Sequence, residues 1–107
     1  MAEPRVVARH EAPEIDEAAF VAARAADRVL EAARDAGNER WIRFLEPLPD
    51  RLRDDGLADL RRTALRCRAA FGPKDSIRDV FKPDVTEPFL MALDRLLRRL
   101  ARRSAER

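Results

Sequence analysis

The side chains that enzymes most often use for acid–base or nucleophilic chemistry are scarce in this chain. His10 is the only histidine and Cys67 the only cysteine among 107 residues. A Ser-His-Asp or Cys-His site would have to recruit His10 from the N-terminal tail, and a zinc site needs about four nitrogen or sulfur ligands. Apolar residues at helical spacing around Cys67 predict a buried, unreactive thiol. We therefore predict no catalytic residue, no metal ligand and no cofactor, and a protein that is not an enzyme.

Two other segments approach known binding motifs without matching them. Four acidic residues cluster around one glycine: Asp50, Asp54, Asp55 and Asp59. They lack the spaced ligands and the closing Glu of a calcium loop, so we predict a solvated acidic face screened by nearby arginines. The segment from Phe71 to Ser76 contains Gly72 and Lys74. It has neither the P-loop spacing nor a preceding strand, which favours a turn between helices.

The elements that would position these residues are predicted to be helices. Ala, Leu, Arg and Glu are abundant and only three Gly occur, which favours helix. Helices are predicted over 16–36, 39–46 and 50–71 and from a cap at Thr86 onward, with a short helical turn over 75–81. The sequence leaves open whether Gly56 interrupts the third helix. The predicted fold is an all-α small helical bundle of about four helices plus that turn, with a mobile N-terminal tail over 1–14 and a single helical domain over 15–104.

Apolar stripes at helical spacing mark the predicted core. The stripe of the first helix is rich in alanine, so a neighbouring helix can approach closely. It comprises Ile15, Ala19, Ala22, Ala23, Ala26, Val29, Leu30 and Ala33. The last helix has an apolar face opposite an arginine-rich face. Its apolar face contains Phe89, Leu93, Leu96, Leu97 and Leu100.

Charge is distributed unevenly along the chain. Residues 1–60 carry 9 basic and 14 acidic side chains, whereas residues 61–107 carry 13 basic and 6 acidic ones. Either the two halves neutralise each other in the fold, or the basic half meets an acidic partner. The candidate basic face comprises Arg62, Arg66, Arg95, Arg98, Arg99, Arg102 and Arg103. If these side chains converge, a nucleic-acid-binding accessory protein is the alternative function.

The leading prediction is a non-enzymatic protein-interaction or regulatory protein that acts through a helical surface, as a homodimer or with another protein. Several apolar residues fall outside the main stripes, and dimerisation would bury them. This candidate interaction surface comprises Phe20, Val21, Leu65 and Leu90. The chain has no apolar run of membrane-spanning length, no signal-peptide core near its start and a single Cys, so we expect a cytoplasmic protein. Its 20 Arg against 2 Lys are typical of GC-rich bacterial genomes.

Two segments carry a resemblance. The run from Trp41 to Leu45 is followed by a helix and then by Ala70-Phe-Gly-Pro-Lys-Asp-Ser-Ile-Arg-Asp79. This layout resembles small uncharacterised bacterial helical proteins that have a Trp helix followed by an F-G-x-x-x-S-apolar-x-D turn. The resemblance covers residues 38–81 and implies no established activity. It implies that Ser76 and Asp79 cap a short helix.

Overall fold

The protein is all-α, as predicted. The computed structural model describes residues 8–105, with only the backbone of residues 104 and 105. A 3-10 turn at Arg9–Glu11 leads into six helices. These are α1 Pro13–Asp35, α2 Glu39–Leu45, α3 Leu48–Asp54, α4 Leu57–Ala69, α5 Ile77–Val80 and α6 Pro83–Ala105. The two 23-residue helices, α1 and α6, make the most extensive helix–helix contact.

Helices α2 and α3 together form one broken rod that runs antiparallel to α1. Gly37, with φ of 63°, turns the chain at the end of α1, in the left-handed conformation that glycine adopts without a steric cost. The Asn38 side chain then caps α2 by accepting a hydrogen bond from the Trp41 amide. Pro47 lies between α2 and α3 and Pro49 lies in the first turn of α3; the chain breaks here because neither can donate a helical hydrogen bond. The rod ends beside the start of α1, where Arg9 reaches the carbonyl of Leu52.

Helix α6 is antiparallel to both α4 and α1. Arg68 of α4 forms an ion pair with Asp94, and Phe71, just past α4, packs against Phe89. Residue numbers along α6 therefore decrease in the direction in which those along α4 increase. On the other side, Glu14 in the first turn of α1 contacts Arg103 in the last turns of α6. The result is a four-rod, up-down-up-down bundle of α1, α2–α3, α4 and α6, with short connections of the kind that join antiparallel neighbours.

The core confirms the predicted stripes and widens that of α1. All eight predicted stripe residues of α1 are buried, and so are Ala18 and Ala25. The wider buried arc arises because α1 packs against two neighbouring rods, α6 and α2–α3. On α6, the predicted apolar face is buried except for Leu97, which is half-buried. Alanine dominates α1 because a helix packed between two neighbours needs small side chains to bring both close.

The structure decides one helix boundary that the sequence left open and corrects another. Gly56 does interrupt the third predicted helix, because Asp55 and Gly56 are extended and α4 must reverse direction there. The cap predicted at Thr86 is wrong: α6 begins at Pro83, since proline is already shaped for a first helical turn. Thr86 lies one turn inside the helix, where its hydroxyl donates to the carbonyl of Lys82.

The predicted mobile tail over 1–14 also changes. Residues 1–7 lie outside the described residues, but 8–14 are held against the bundle by Arg9. Its guanidinium donates to Asp16 at 2.8 Å and to the carbonyls of Leu52 and Asp55 at 2.8 and 3.1 Å. It also lies 5.6 Å from the centre of the Phe20 ring. Carbonyl groups at the end of α3 have no hydrogen-bond donor within the helix. The Arg9 guanidinium supplies one and thereby fixes residues 8–14 against the bundle.

Candidate functional site

The solvent-facing side of α6 carries the clearest candidate site. Residues on this side recur at spacings of three and four, as one face of a helix requires. We call them the α6 outer face: Asp84, Pro88, Met91, Arg95, Arg98 and Arg102, all exposed. Met91 lies at its centre and is 70% exposed, more than any other large apolar residue in the described chain. The face is therefore acidic at its start, apolar at its centre and basic at its end.

The predicted basic face divides into three groups in the structure. Arg95, Arg98 and Arg102 share the α6 outer face and have no ion-pair partner among the described residues. Arg99 and Arg103 turn towards α1, where Arg99 donates to the Glu14 carbonyl and Arg103 lies 3.6 Å from the Glu14 carboxylate. The two α4 members point elsewhere. Arg62 faces Asp59 at 3.8 Å, and Arg66 lies over the Phe44 ring.

The predicted interaction surface does not form one patch. Phe20 and Val21 line a shallow hollow on α1 together with Arg53, whereas Leu65 is exposed on α4. Leu90 is buried, so its place in that surface was wrong. It lies off the main α6 stripe, but the flank of α6 on which it lies is covered by α4 and α5. Sequence reasoning missed Met91 and Val80, although Met91 stands opposite the leucine stripe and could have been found from helical spacing.

Two of the four charges on the α6 outer face, Asp84 and Arg98, are placed symmetrically about Met91. Asp84 precedes Met91 by seven residues and Arg98 follows it by seven, which is about two helical turns or roughly 10 Å on each side. Neither side chain has an ion-pair partner within the described part of the chain. An acidic N-terminal end and a basic C-terminal end also complement the helix dipole. In an antiparallel copy of this face, Asp84 would lie opposite Arg98.

Helices α4 and α5 border this face on the same side, and each carries one exposed apolar residue. Helix α5 is joined to the first half of α6 by the bidentate contact of Arg78 with Glu87. Helix α4 is joined to its second half by the Arg68–Asp94 pair. Glu87 and Asp94 are seven residues apart, so both helices flank the same side of α6. Val80 of α5 is 47% exposed and Leu65 of α4 is 50% exposed.

The residues considered for catalysis or metal binding do not converge. His10 is exposed in the 3-10 turn, and Cys67 is buried in the core. In the acidic cluster, Asp50 pairs with Arg53, and Asp55 accepts a hydrogen bond from the Thr63 hydroxyl. Across residues 8–105 no three His, Cys, Asp or Glu side chains are grouped so that they could hold a metal ion. No helix in this part of the chain has the length and apolar character needed to span a membrane.

Cys67 makes stability depend on alkaline pH. Burial raises the pKa of its thiol to about 12 from an ordinary value of 9.0, against the opposing positive charge of Arg66. The folded state therefore keeps a proton that the unfolded state releases above pH 9. Stability falls as pH rises wherever the folded state binds more protons than the unfolded state. We therefore expect the free energy of unfolding to decrease between pH 9 and 12, by at most about 1.4 kcal/mol per pH unit. Below pH 9 the thiol should have no such effect.

This prediction is checked by urea denaturation at several pH values from neutral to alkaline. Cys67→Ala removes the titrating group, so its free energy of unfolding should fall less steeply above pH 9 than that of the native chain. The difference in slope isolates the thiol from lysine and arginine titration. Parallel slopes for the two proteins would contradict a protonated, buried Cys67.

The turn before α5 has the cap that the resemblance implies. The Ser76 hydroxyl accepts a hydrogen bond from the Arg78 amide, and the Ser76 amide donates to the Asp79 carboxylate, so the capping role expected of these two residues is confirmed.

Comparisons with models of protein families, with curated proteins and with solved structures each returned no match. The resemblance to bacterial helical proteins stays a prediction.

Proposed function

We propose that this protein is a non-enzymatic interaction protein that acts through a helical surface and forms a homodimer through the α6 outer face. The observation that carries the proposal is Met91, an apolar side chain 70% exposed at the centre of a face whose charge changes sign from end to end. Burial of such a side chain against a partner is favourable, and the flanking charges select a partner with the opposite order.

A second copy of the chain meets these requirements. A twofold axis through Met91, perpendicular to α6, makes the two copies of α6 antiparallel. Asp84 then lies opposite the partner's Arg98, and this pairing occurs twice. The same operation brings α4 opposite α5 of the other copy. One symmetry operation thus pairs Asp84 with the partner's Arg98 twice and covers the exposed Met91, which supports self-association over binding of an unrelated protein.

Light scattering after size-exclusion chromatography tests the dimer. The native chain should show twice its 12.2 kDa mass, with dissociation on dilution. Asp84→Arg should weaken the dimer, because each copy then sets a second guanidinium against the partner's Arg98. Two lost attractions and two new repulsions are expected to raise the dimer Kd about tenfold to a hundredfold. Asp84→Arg combined with Arg98→Asp should restore the native Kd, since the pair is re-formed in reverse.

Arg43→Asp is the matched control. Arg43 is exposed on α2, outside the proposed interface, so reversing its charge should leave the dimer mass unchanged. Circular dichroism spectra should show that every variant stays helical. A native chain that is monomeric at all concentrations would contradict the proposal, as would failure of the double charge reversal to recover what the single one loses.

The second candidate function is a nucleic-acid-binding accessory role, and one observation favours it. Arg95, Arg98 and Arg102 lie along one helix face without ion-pair partners in the part of the chain described, as contacts to a phosphate backbone would require. Three such contacts predict a log–log dependence of affinity on salt with a slope of about −3. This role is tested by repeating the chromatography with a mixed DNA and RNA pool at two salt concentrations. We expect the protein to co-elute with nucleic acid at the low salt concentration and not at the high one.

A further inference from the structure

A second site lies where α2 meets the end of α4. Helix α2, the end of α4 and the turn that follows it line an open cavity of about 420 Å³, within the usual range for small-molecule sites. We call it the Trp41 cavity. The side chains that give it its chemistry are Arg40, Trp41, Phe44, Arg66, Lys74 and Asp75. None of them belongs to the α6 outer face, so the cavity is independent of the proposed dimer.

Two aromatic rings form the apolar wall of this cavity. Trp41 and Phe44 meet edge to face, with ring centroids 5.6 Å apart and planes at 88°. Trp41 is further fixed by an edge contact with Phe81 at 6.5 Å. Trp41 is mostly buried, whereas Phe44 is half-buried, so part of its ring faces the opening. Besides Arg66, the end of α4 and the residue after it contribute only the small side chains of Ala69 and Ala70, which leaves room for a flat apolar body.

Three cations surround these rings. The Arg40 guanidinium lies 5.5 Å from the Trp41 centroid and that of Arg66 lies 5.9 Å from the Phe44 centroid, while Lys74 lies on the rim. None of the three has an ion-pair partner among residues 8–105. Asp75 is the only carboxylate that lines the cavity. The site therefore has a net charge of about +2 when side chains have their ordinary charges, and an anion would reduce the mutual repulsion of the cations.

The turn that presents Lys74 and Asp75 is held in an unfavourable conformation. Asp75 has φ of 51°, the only positive φ of a non-glycine residue in the described chain. This left-handed conformation brings Cβ too close to the carbonyl oxygen, although Asp and Asn tolerate it better than most residues. The Ile77 amide closes the turn by donating to the Ala70 carbonyl at 2.9 Å. Strained backbone of this kind is concentrated at ligand sites.

We infer that the Trp41 cavity binds a small ligand that combines a flat aromatic ring with an anionic group. The ring lies against Phe44 and the edge of Trp41, where apolar contact and edge-to-face packing stabilise it. The anionic group lies among Arg40, Arg66 and Lys74, whose donors bind carboxylate or phosphate oxygens. A free aromatic anion and a nucleotide within a single strand share this chemistry.

The only tryptophan provides the measurement. Its indole Nε1–H gives a single side-chain signal in a ¹⁵N-correlated NMR spectrum, which is followed during titration of the full chain with AMP, naphthyl phosphate, adenosine and inorganic phosphate. At least one of the two aromatic phosphates should shift the Trp41 signal and bind at least tenfold more tightly than adenosine or inorganic phosphate. A short oligodeoxyadenylate binding more tightly than AMP would assign the site to a strand, and weaker binding would assign it to a free ligand.

Single substitutions then test what each charged residue of the Trp41 cavity contributes to binding. Arg66→Ala and Lys74→Ala should each weaken binding several-fold, whereas Asp75→Asn should strengthen it, because it removes the only lining carboxylate while keeping a residue that tolerates the turn. Arg43→Ala, on the exposed side of the same helix α2, is the control and should bind as the native chain does. The inference is overturned if neither aromatic phosphate shifts the Trp41 signal, if inorganic phosphate binds equally well, or if Arg66→Ala and Lys74→Ala have no effect in variants whose spectra show a native fold.

Discussion

Replacing Phe89 with Ala should lower the free energy of unfolding by about 3–5 kcal/mol. Phe89 is the largest side chain that is fully buried in the described core. Its ring packs at 5.9 Å from that of Phe71 and so joins α6 to the segment that follows α4. Truncation loses the transfer free energy of the ring and leaves a cavity that close-packed helices can fill only in part. The expected loss is a large share of the roughly 5–15 kcal/mol that stabilises a domain.

Urea denaturation followed by circular dichroism measures this loss at one fixed protein concentration. Phe20→Ala is the matched control, since the same atoms are removed from a ring that is 43% exposed on α1. It should cost no more than about 1 kcal/mol, chiefly through the contact of that ring with Arg9. Equal losses in the two variants would show that Phe89 is not enclosed by the bundle.

Replacing a buried alanine of α1 with a larger side chain should cause the next largest loss of stability. Glu14 contacts α6, and residues four and eight positions further along α1 share its side of the helix, which places Ala18 and Ala22 towards α6. Both are buried. Ala22→Leu adds three carbons on the side of α1 that faces α6, so we expect the free energy of unfolding to fall by about 1–3 kcal/mol from overpacking.

Ala58→Leu makes the same substitution on the exposed surface of α4, and its effect should stay within about 0.5 kcal/mol of zero. Thermal unfolding of both variants against the native chain provides the comparison. If the substitution at residue 22 is tolerated as well as the one at residue 58, α1 and α6 are separated by more space than the buried alanines indicate.

The helices and the core could be predicted because their signals are local. Each buried stripe follows from side-chain spacing within one helix, and the α1 stripe from Ile15 to Ala33 is buried as predicted. The ends of helices were harder to predict. Thr86 has the chemistry of a cap, but Pro83 starts the helix a turn earlier. Whether the helix breaks at Gly56 could not be predicted, because low helical propensity permits a turn without requiring one. The turn is required only because α4 reverses direction relative to α3.

The candidate site could be predicted only in part, because ion pairing depends on neighbours distant in sequence. Seven arginines were grouped by their sequence positions, yet Arg99 and Arg103 contact Glu14 from the opposite end of the chain. Only three of the seven lie on the α6 outer face. Likewise, Leu90 is buried because α4 and α5 cover its flank of α6, while Met91, one residue further along, has no such cover.

The sequence by itself determined that the chain is helical, which faces of its helices are buried and that Cys67 lies in the core, because all three depend on residue type and on spacing within one helix. The tertiary structure decided which charges are left without partners and which residues meet at a site. Asp84, Met91 and Arg98 are exposed together only because the rest of the bundle covers the other sides of α6. Arg40 and Arg66, 26 residues apart in number, come to the same cavity only because the fold brings the end of α4 beside α2.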